Sequence, residues 1–240
     1  MGLPISVLAR GPGAREDDAD DAVAAVFTEL RAVDAMFSPY RDDSEVSRIA
    51  RGELALEDSD PLVQHVARRC DAMRELTGGL FDATRPDGRW DPSGLVKGWA
   101  VERAARHLVA VEPLDWCLNA GGDVVVSCPS GEPFRVGIQD PQDGSRIAAV
   151  VESTGDAVAT SGTAARGAHL YDPRTGNAAD QLASLTVVGP SLETADVLAT
   201  AAFVAGDDAF ALVATVPGYA ALRIDPNGAQ SRTDNWPGAA

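Results

Sequence analysis

Between residues 17 and 37 apolar side chains recur at intervals of three and four: Val23, Val26, Phe27, Leu30, Val33 and Phe37. That spacing predicts an amphipathic helix with one face toward a core. A second helix is predicted over 61–76, with Pro61 in its first turn and Gly78-Gly79 at its end. A third begins near Gly94 and carries Lys97 and His107 to about Val109. Ahead of these, residues 3–9 alternate as a strand and the chain turns at Gly11 to Gly13. The pattern then changes. Short apolar or alternating runs at 117–119, 124–126, 134–138 and 148–152, separated by glycine, proline and aspartate, read as strands of an antiparallel sheet. Residues 184–188 are another strand, followed by a helix capped by Ser191 or Thr194 that carries Asp196, Thr200 and Phe203 and stops at Gly206. A last strand is predicted over 219–224, and the polar, glycine-rich tail from Asn227 is expected to fray. Helices and strands in mixed rather than alternating order give an α+β fold with a mixed, mostly antiparallel sheet and packed helices.

Composition narrows the function. The 240 residues, 45% of them hydrophobic, suffice for one large domain or two small lobes sharing a core, and no repeat or linker marks a second domain. A formal charge of −16 without clustered cations argues against nucleic acid, whose backbone needs such clusters. An acidic chain that binds a polyphosphate must offset its own field locally, which makes a divalent metal the thing to look for. Cys70, Cys117 and Cys128 are odd in number and lack CxxC spacing, so buried thiols in a reducing compartment are expected. No apolar run is expected to reach the length a membrane helix needs, and the start has no charged segment followed by an apolar one. The chain as given is therefore expected to be cytoplasmic, with a trimmed exported protein as the alternative.

Lys97 is the sole lysine, placed in Asp91-Pro-Ser-Gly-Leu-Val-Lys-Gly98 where a loop becomes a helix. A compact ammonium beside a helix N-terminus suits a phosphate oxygen; the competing reading is the one survivor of an arginine-favouring codon bias. Asp196 and Thr200 are four apart on a helix, so a carboxylate and a hydroxyl share a face one turn apart. Magnesium prefers such oxygens and completes its shell with water and phosphate, although a dipole-stabilised aspartate and a back-bonded threonine share the pattern. Asp82 and Asp91 bracket a loop after Gly78-Gly79 that is expected to enter a strand. Asn119-Ala-Gly-Gly-Asp123 and Thr160-Ser-Gly162 read as turns offering close backbone approach. His169 is the one histidine outside a helical pattern and the best general-base candidate, unless its imidazole serves a backbone carbonyl.

In order, these segments resemble the ApbE-type flavin transferases, which move FMN from FAD onto a threonine or serine of a target protein. The similarity runs nearly end to end. It is carried by Met1-Gly2, Ser38-Pro-Tyr-Arg-Asp-Asp-Ser-Glu-Val-Ser47, Gly79-Leu-Phe-Asp82, Asp91 to Gly98, Asn119 to Asp123 and Val136-Gly-Ile-Gln-Asp-Pro141. Further on it includes Ala159-Thr-Ser-Gly162, His169-Leu-Tyr-Asp-Pro-Arg-Thr-Gly176 and Ala195-Asp-Val-Leu-Ala-Thr200. The resemblance implies an ApbE-like single domain of two intertwined lobes. It implies FAD contacts at Met1, Tyr40, Leu80, Phe81, Asp82, Asp91, Lys97 and Tyr171, and magnesium ligands at Asp196, Thr200 and the carbonyl of Gly94. The chain departs from the family at Ala199, where some members have an aspartate, and at Tyr171, where an aliphatic residue is usual. Ala168 stands where a second histidine often is, and Ala50 where an asparagine commonly ends the serine-glutamate motif.

The implied activity is magnesium-dependent transfer of FMN from FAD to a Thr or Ser hydroxyl of an acceptor flavoprotein, releasing AMP. In that reaction Lys97 neutralises phosphate charge and His169 accepts the hydroxyl proton. Two alternatives keep the same cleft: an FAD pyrophosphatase giving FMN and AMP, and a non-catalytic FAD-binding or storage protein.

Overall fold

The structure, a computed structural model, describes residues 3–163 and 170–237. Met1 and His169 lie outside the described residues. The helices are α1 (Asp17–Phe37), α2 (Glu45–Ala50), α3 (Pro61–Leu76), α4 (Ser93–Val109), α5 (Leu192–Ala205) and α6 (Ala209–Ala214). The strands are β1 (Ile5–Arg10), β2 (Asp115–Ala120), β3 (Asp123–Ser127), β4 (Phe134–Gln139), β5 (Ile147–Ser153), β6 (Ala157–Gly162), β7 (Ser184–Gly189), β8 (Ala220–Ile224) and β9 (Gln230–Arg232). Among the described residues seven strands form one antiparallel sheet, ordered β1-β2-β3-β6-β7-β8-β9, and β4 pairs β5 in a separate hairpin.

The two faces of the large sheet carry different layers because side chains alternate along each strand. Leu118, Ala120, Ala157, Ala159, Leu185 and Val187 join the helices in the main core. Val124, Val126, Val158, Val188, Leu222 and Ile224 point the other way and meet Phe134, Val136, Ile138 and Val151 of the hairpin. Helix α5 lies in the centre of the first layer against α4, β6 and β7. It therefore has no solvent face, and Leu192, Val197, Leu198, Phe203 and four of its alanines are buried. Its apolarity corrects one expectation: Leu192–Ala214 is long and apolar enough by composition to cross a membrane. In the fold that stretch is α5, a short turn at Gly206–Asp208 and α6, with α5 serving as a core helix.

Other differences have local causes. The tail from Asn227 does not fray throughout, since β9 pairs β8 and the Ala221 N–H donates to Thr233 Oγ1 at 3.0 Å. The turn read at Thr160-Ser-Gly162 is the end of β6, a strand hidden by its alanines. No strand follows Phe81; the segment makes only an isolated bridge, Thr84 with Trp90. The cysteines are free, with Cys70 and Cys128 buried, and burial pushes the Cys70 thiol up to about 12 and the Cys117 thiol up to about 11. Truncating the fully buried Leu198 to alanine leaves a cavity in the main core. The variant is expected to lose about 2–5 kcal/mol of unfolding free energy, measured as the shift of a urea midpoint at unchanged slope.

Candidate functional site

Three short segments build the site around the contact of α4 with α5. The first is the β2–β3 turn. Gly121 and Gly122 both have positive φ, 65° and 104°, as a two-residue hairpin turn requires. Asn119 Oδ1 accepts the Gly122 N–H at 3.0 Å and closes the turn. The tightness of this corner makes Asp123 the first residue of β3, on the sheet face that carries the helices. The β3–β6 ladder ends at Val124 and Val158. Beyond it the strands part, and Asp123 Oδ1 accepts the Thr160 N–H at 3.2 Å.

The second segment is the opening of α4, and the third is the first turns of α5. Asp91 Oδ1 accepts the Ser93 N–H at 3.1 Å and starts α4, while Ser191 caps α5 through the Thr194 N–H. Glu102 on α4 ties the two helices together by accepting from Ser191 Oγ at 2.8 Å and from the Glu193 N–H at 3.1 Å. They approach so closely at Gly98 that a Cβ there would lie 2.7 Å from the Leu192 carbonyl oxygen and 3.0 Å from Asp196 Cβ. That approach lets the Gly98 N–H reach Asp196 Oδ2 at 3.1 Å. In a regular helix the same amide serves the Gly94 carbonyl, so the predicted Gly94 and Asp196 oxygens border one N–H.

Lys97, one residue earlier, places its ammonium between two carboxylates. It pairs with Asp123 Oδ2 and lies 3.2 Å from Asp196 Oδ1. Both aspartates are buried, Asp123 at 1% exposure and Asp196 at 3%. Burial opposes the lysine charge, but Asp196 and then Asp123 overcome it and hold the ammonium above its ordinary range. Burial raises the Asp196 carboxyl; Lys97 pulls it down, and Asp123 raises it further. One ammonium is thus shared between two buried carboxylates. Thr200, one helical turn past Asp196, exchanges a 3.0 Å hydrogen bond with Ser161 Oγ on β6.

This donor set of buried carboxylates and adjacent hydroxyls fits a hard divalent ion such as magnesium. Among the described residues no three His, Cys, Asp or Glu side chains group as an all-protein metal site. Magnesium that draws part of its shell from water and phosphate does not need one.

The remaining predicted residues gather on a neighbouring loop. Thr77 Oγ1 accepts the Phe81 N–H at 3.1 Å, and the buried Phe81 ring lies against Gly94, 3.1 Å from where a Cβ would stand. Asp82 accepts from Arg74 and from the Thr84 N–H, each at 2.7 Å, and Asp91 Oδ2 accepts from Arg85 at 3.3 Å. Leu80 is half-buried against the main core. Facing this loop, Leu170, Tyr171, Gly176 and Ala178 close a cleft of about 340 Å³ with Arg85, Pro86 and Asp87, at the lower end of ligand-sized pockets. Tyr171 is bridged to Ala178, and burial raises its phenol above the usual range. Tyr40 is not gathered in: it stands 90% exposed on the turn after α1. Two groups that the sequence reading took for turn chemistry, Asp123 and Ser161, belong to the ion cluster and its support. The available signal was strand parity: each lies an even number of residues from a core-facing neighbour, Val125 and Ala159.

The sequence matches the ApbE family over residues 1–87 and 84–223. It is 32% identical over 182 residues to a Rhodobacter capsulatus protein named FAD:protein FMN transferase, covering 71% of this chain and 35% of that protein. It is 30% identical over 160 residues to the protein of that name from Escherichia coli K12, covering 62% and 46%. The matches thus span about a third to under half of the length of these curated relatives. Among solved structures, an ApbE protein from Thermotoga maritima superposes with a TM-score of 0.84 at 22% identity, covering 97% of this chain and 94% of that one. The flavin transferase ApbE of Vibrio cholerae gives 0.77 at 22% identity with 97% of both chains covered. Both likenesses bear out the α+β fold.

Replacing Gly98 with alanine forces the added methyl onto backbone at 2.7 Å, whereas at Gly94 it meets only the Phe81 ring edge. Gly98→Ala is expected to lower the unfolding free energy by about 1–3 kcal/mol and Gly94→Ala by less, both read from urea titrations.

Proposed function

This chain belongs to the ApbE family, and from that premise we propose that it transfers FMN from FAD to a threonine or serine hydroxyl of an acceptor flavoprotein, with magnesium, releasing AMP. The observation that carries the reading is the meeting of Asp123, Lys97 and Asp196 at the α4–α5 contact, with Thr200 and Ser161 beside them. A buried site with two carboxylates and a single ammonium suits a diphosphate only if a divalent ion joins it. Magnesium, when bound, neutralises diphosphate charge and makes the attacked phosphorus more electrophilic. Asp196, Thr200 and the Gly94 carbonyl would hold it. In the transfer the hydroxyl oxygen bonds to the FMN phosphorus, the phosphoanhydride bond breaks and AMP leaves.

The residues of this chain mostly position and screen, as phosphoryl-group transfer demands. Lys97 supplies positive charge toward the phosphates. Phe81 packs its ring against Gly94 at the start of α4 with Leu80 beside it on the main core, and Tyr171 lines the neighbouring cleft with Arg85 and Asp87. Asp82 and Asp91 are held in place by arginines and backbone amides, which fixes the loop that ribose or flavin groups would meet. His169, which lies outside the described residues, is the proposed acceptor of the hydroxyl proton.

The protein incubated with FAD, magnesium and a threonine-bearing acceptor should yield flavin fluorescence that persists on the acceptor band of a denaturing gel. FMN and AMP without a labelled acceptor would identify hydrolysis instead, and FAD recovered intact would identify a binding protein. Removing the carboxylate charge with Asp196→Asn is expected to cost about 10²- to 10³-fold in transfer rate. Ser161→Ala, which leaves Thr200 without its partner, should cost about 10- to 100-fold in magnesium affinity or rate, recovered in part by raising magnesium.

A further inference from the structure

Lys97 stands where a metal bound to Asp196 has to come. Its ammonium is 3.2 Å from Asp196 Oδ1, while Asp196 Oδ2 is taken by the Gly98 N–H. A divalent ion and an ammonium cannot share that carboxylate oxygen at contact distance without strong repulsion. The same ammonium already touches a second carboxylate, Asp123 Oδ2, which has no other partner and is buried. Asp123 is fixed through its other oxygen by the Thr160 N–H at 3.2 Å. A lysine head on a flexible four-carbon stem can move between two such acceptors without backbone change.

We propose that Lys97 is an exchangeable internal cation: it neutralises Asp196 when no divalent ion is present and withdraws onto Asp123 when one binds. Asp123 is then a positioning residue, the alternative seat that frees Asp196 for the metal. This rests on the reading that Asp196 and Thr200 hold a divalent ion. It differs from a simple phosphate-binding role for Lys97 in the sign of one effect. If Lys97 competes with the ion, its removal strengthens metal binding in the absence of flavin; if it only serves phosphate, its removal does nothing there.

The test is Mn²⁺ binding to the flavin-free protein, followed by the free-ion electron paramagnetic resonance signal. Lys97→Met is expected to bind Mn²⁺ about tenfold more tightly than wild type, and Asp123→Asn about tenfold more weakly. Asp123→Asn with Lys97→Met should bind at least as tightly as wild type, because the competitor that needed a second seat is gone. Lys97→Met leaves two carboxylates facing each other, so its melting temperature should rise more on adding Mn²⁺ than that of wild type. A variant folded only with the ion is the extreme of that result. Asp123→Asn keeps every cation and decides the question independently. The proposal is overturned if Asp123→Asn binds Mn²⁺ as tightly as wild type, or if Lys97→Met binds it no more tightly. Those results beside a wild type that binds Mn²⁺ would remove the exchange and leave the metal reading standing. A wild type that binds no Mn²⁺ would remove both.

Discussion

Close contact between α4 and α5 at Gly98 is the constraint from which the other features of the site follow. With no side chain at that point, the two backbones come near enough for a helix amide to bond the carboxylate of Asp196. The residue before that glycine is then directed along the seam, and its ammonium finds Asp196 on one side and Asp123 on the other. Glu102 locks the approach from the solvent side by binding the cap of α5. The packing distance between two helices and the electrostatics of the cleft are thus one property of the molecule.

The distribution of charge fits this arrangement. A chain at −16 repels an anionic dinucleotide over most of its surface, and most of its arginines face partners of their own, such as Arg69 with Glu193 and Arg103 with Glu29. Lys97 differs because its two partners are both buried and only one of them can be fully neutralised. A cation sink formed in this way lies deep, away from the screening that weakens surface pairs.

Much of the fold was legible in the residues, for physical reasons that vary by element. Helices α1 and α3 matched their predicted bounds because an amphipathic stripe and proline at a first turn are local signals. Strand β6 was not, since Ala157-Val-Ala-Thr-Ser-Gly162 is small and polar enough to pass for a turn, and only pairing with β7 along its whole length makes it a strand. Short α6 was missed because it is six residues long and has no capping side chain to mark its start. In the site, Lys97, Asp196 and Thr200 were readable from spacing on helices. Strand parity gives Asp123 its face, but that it meets Lys97 depends on a 26-residue jump in sequence from α4 to β3.

The two-glycine corner between β2 and β3 also fixes parity. Because neighbouring residues of a strand face opposite sides of the sheet, lengthening or shortening that corner by one residue would exchange the places of Asp123 and Val124. A carboxylate would then enter the hydrocarbon layer against Phe134 and Val151, and an isopropyl group would face the lysine. In this family of shapes, indels at that corner are therefore a double injury, to the second core and to the ion cluster at once, while substitutions that keep its length leave both layers in register.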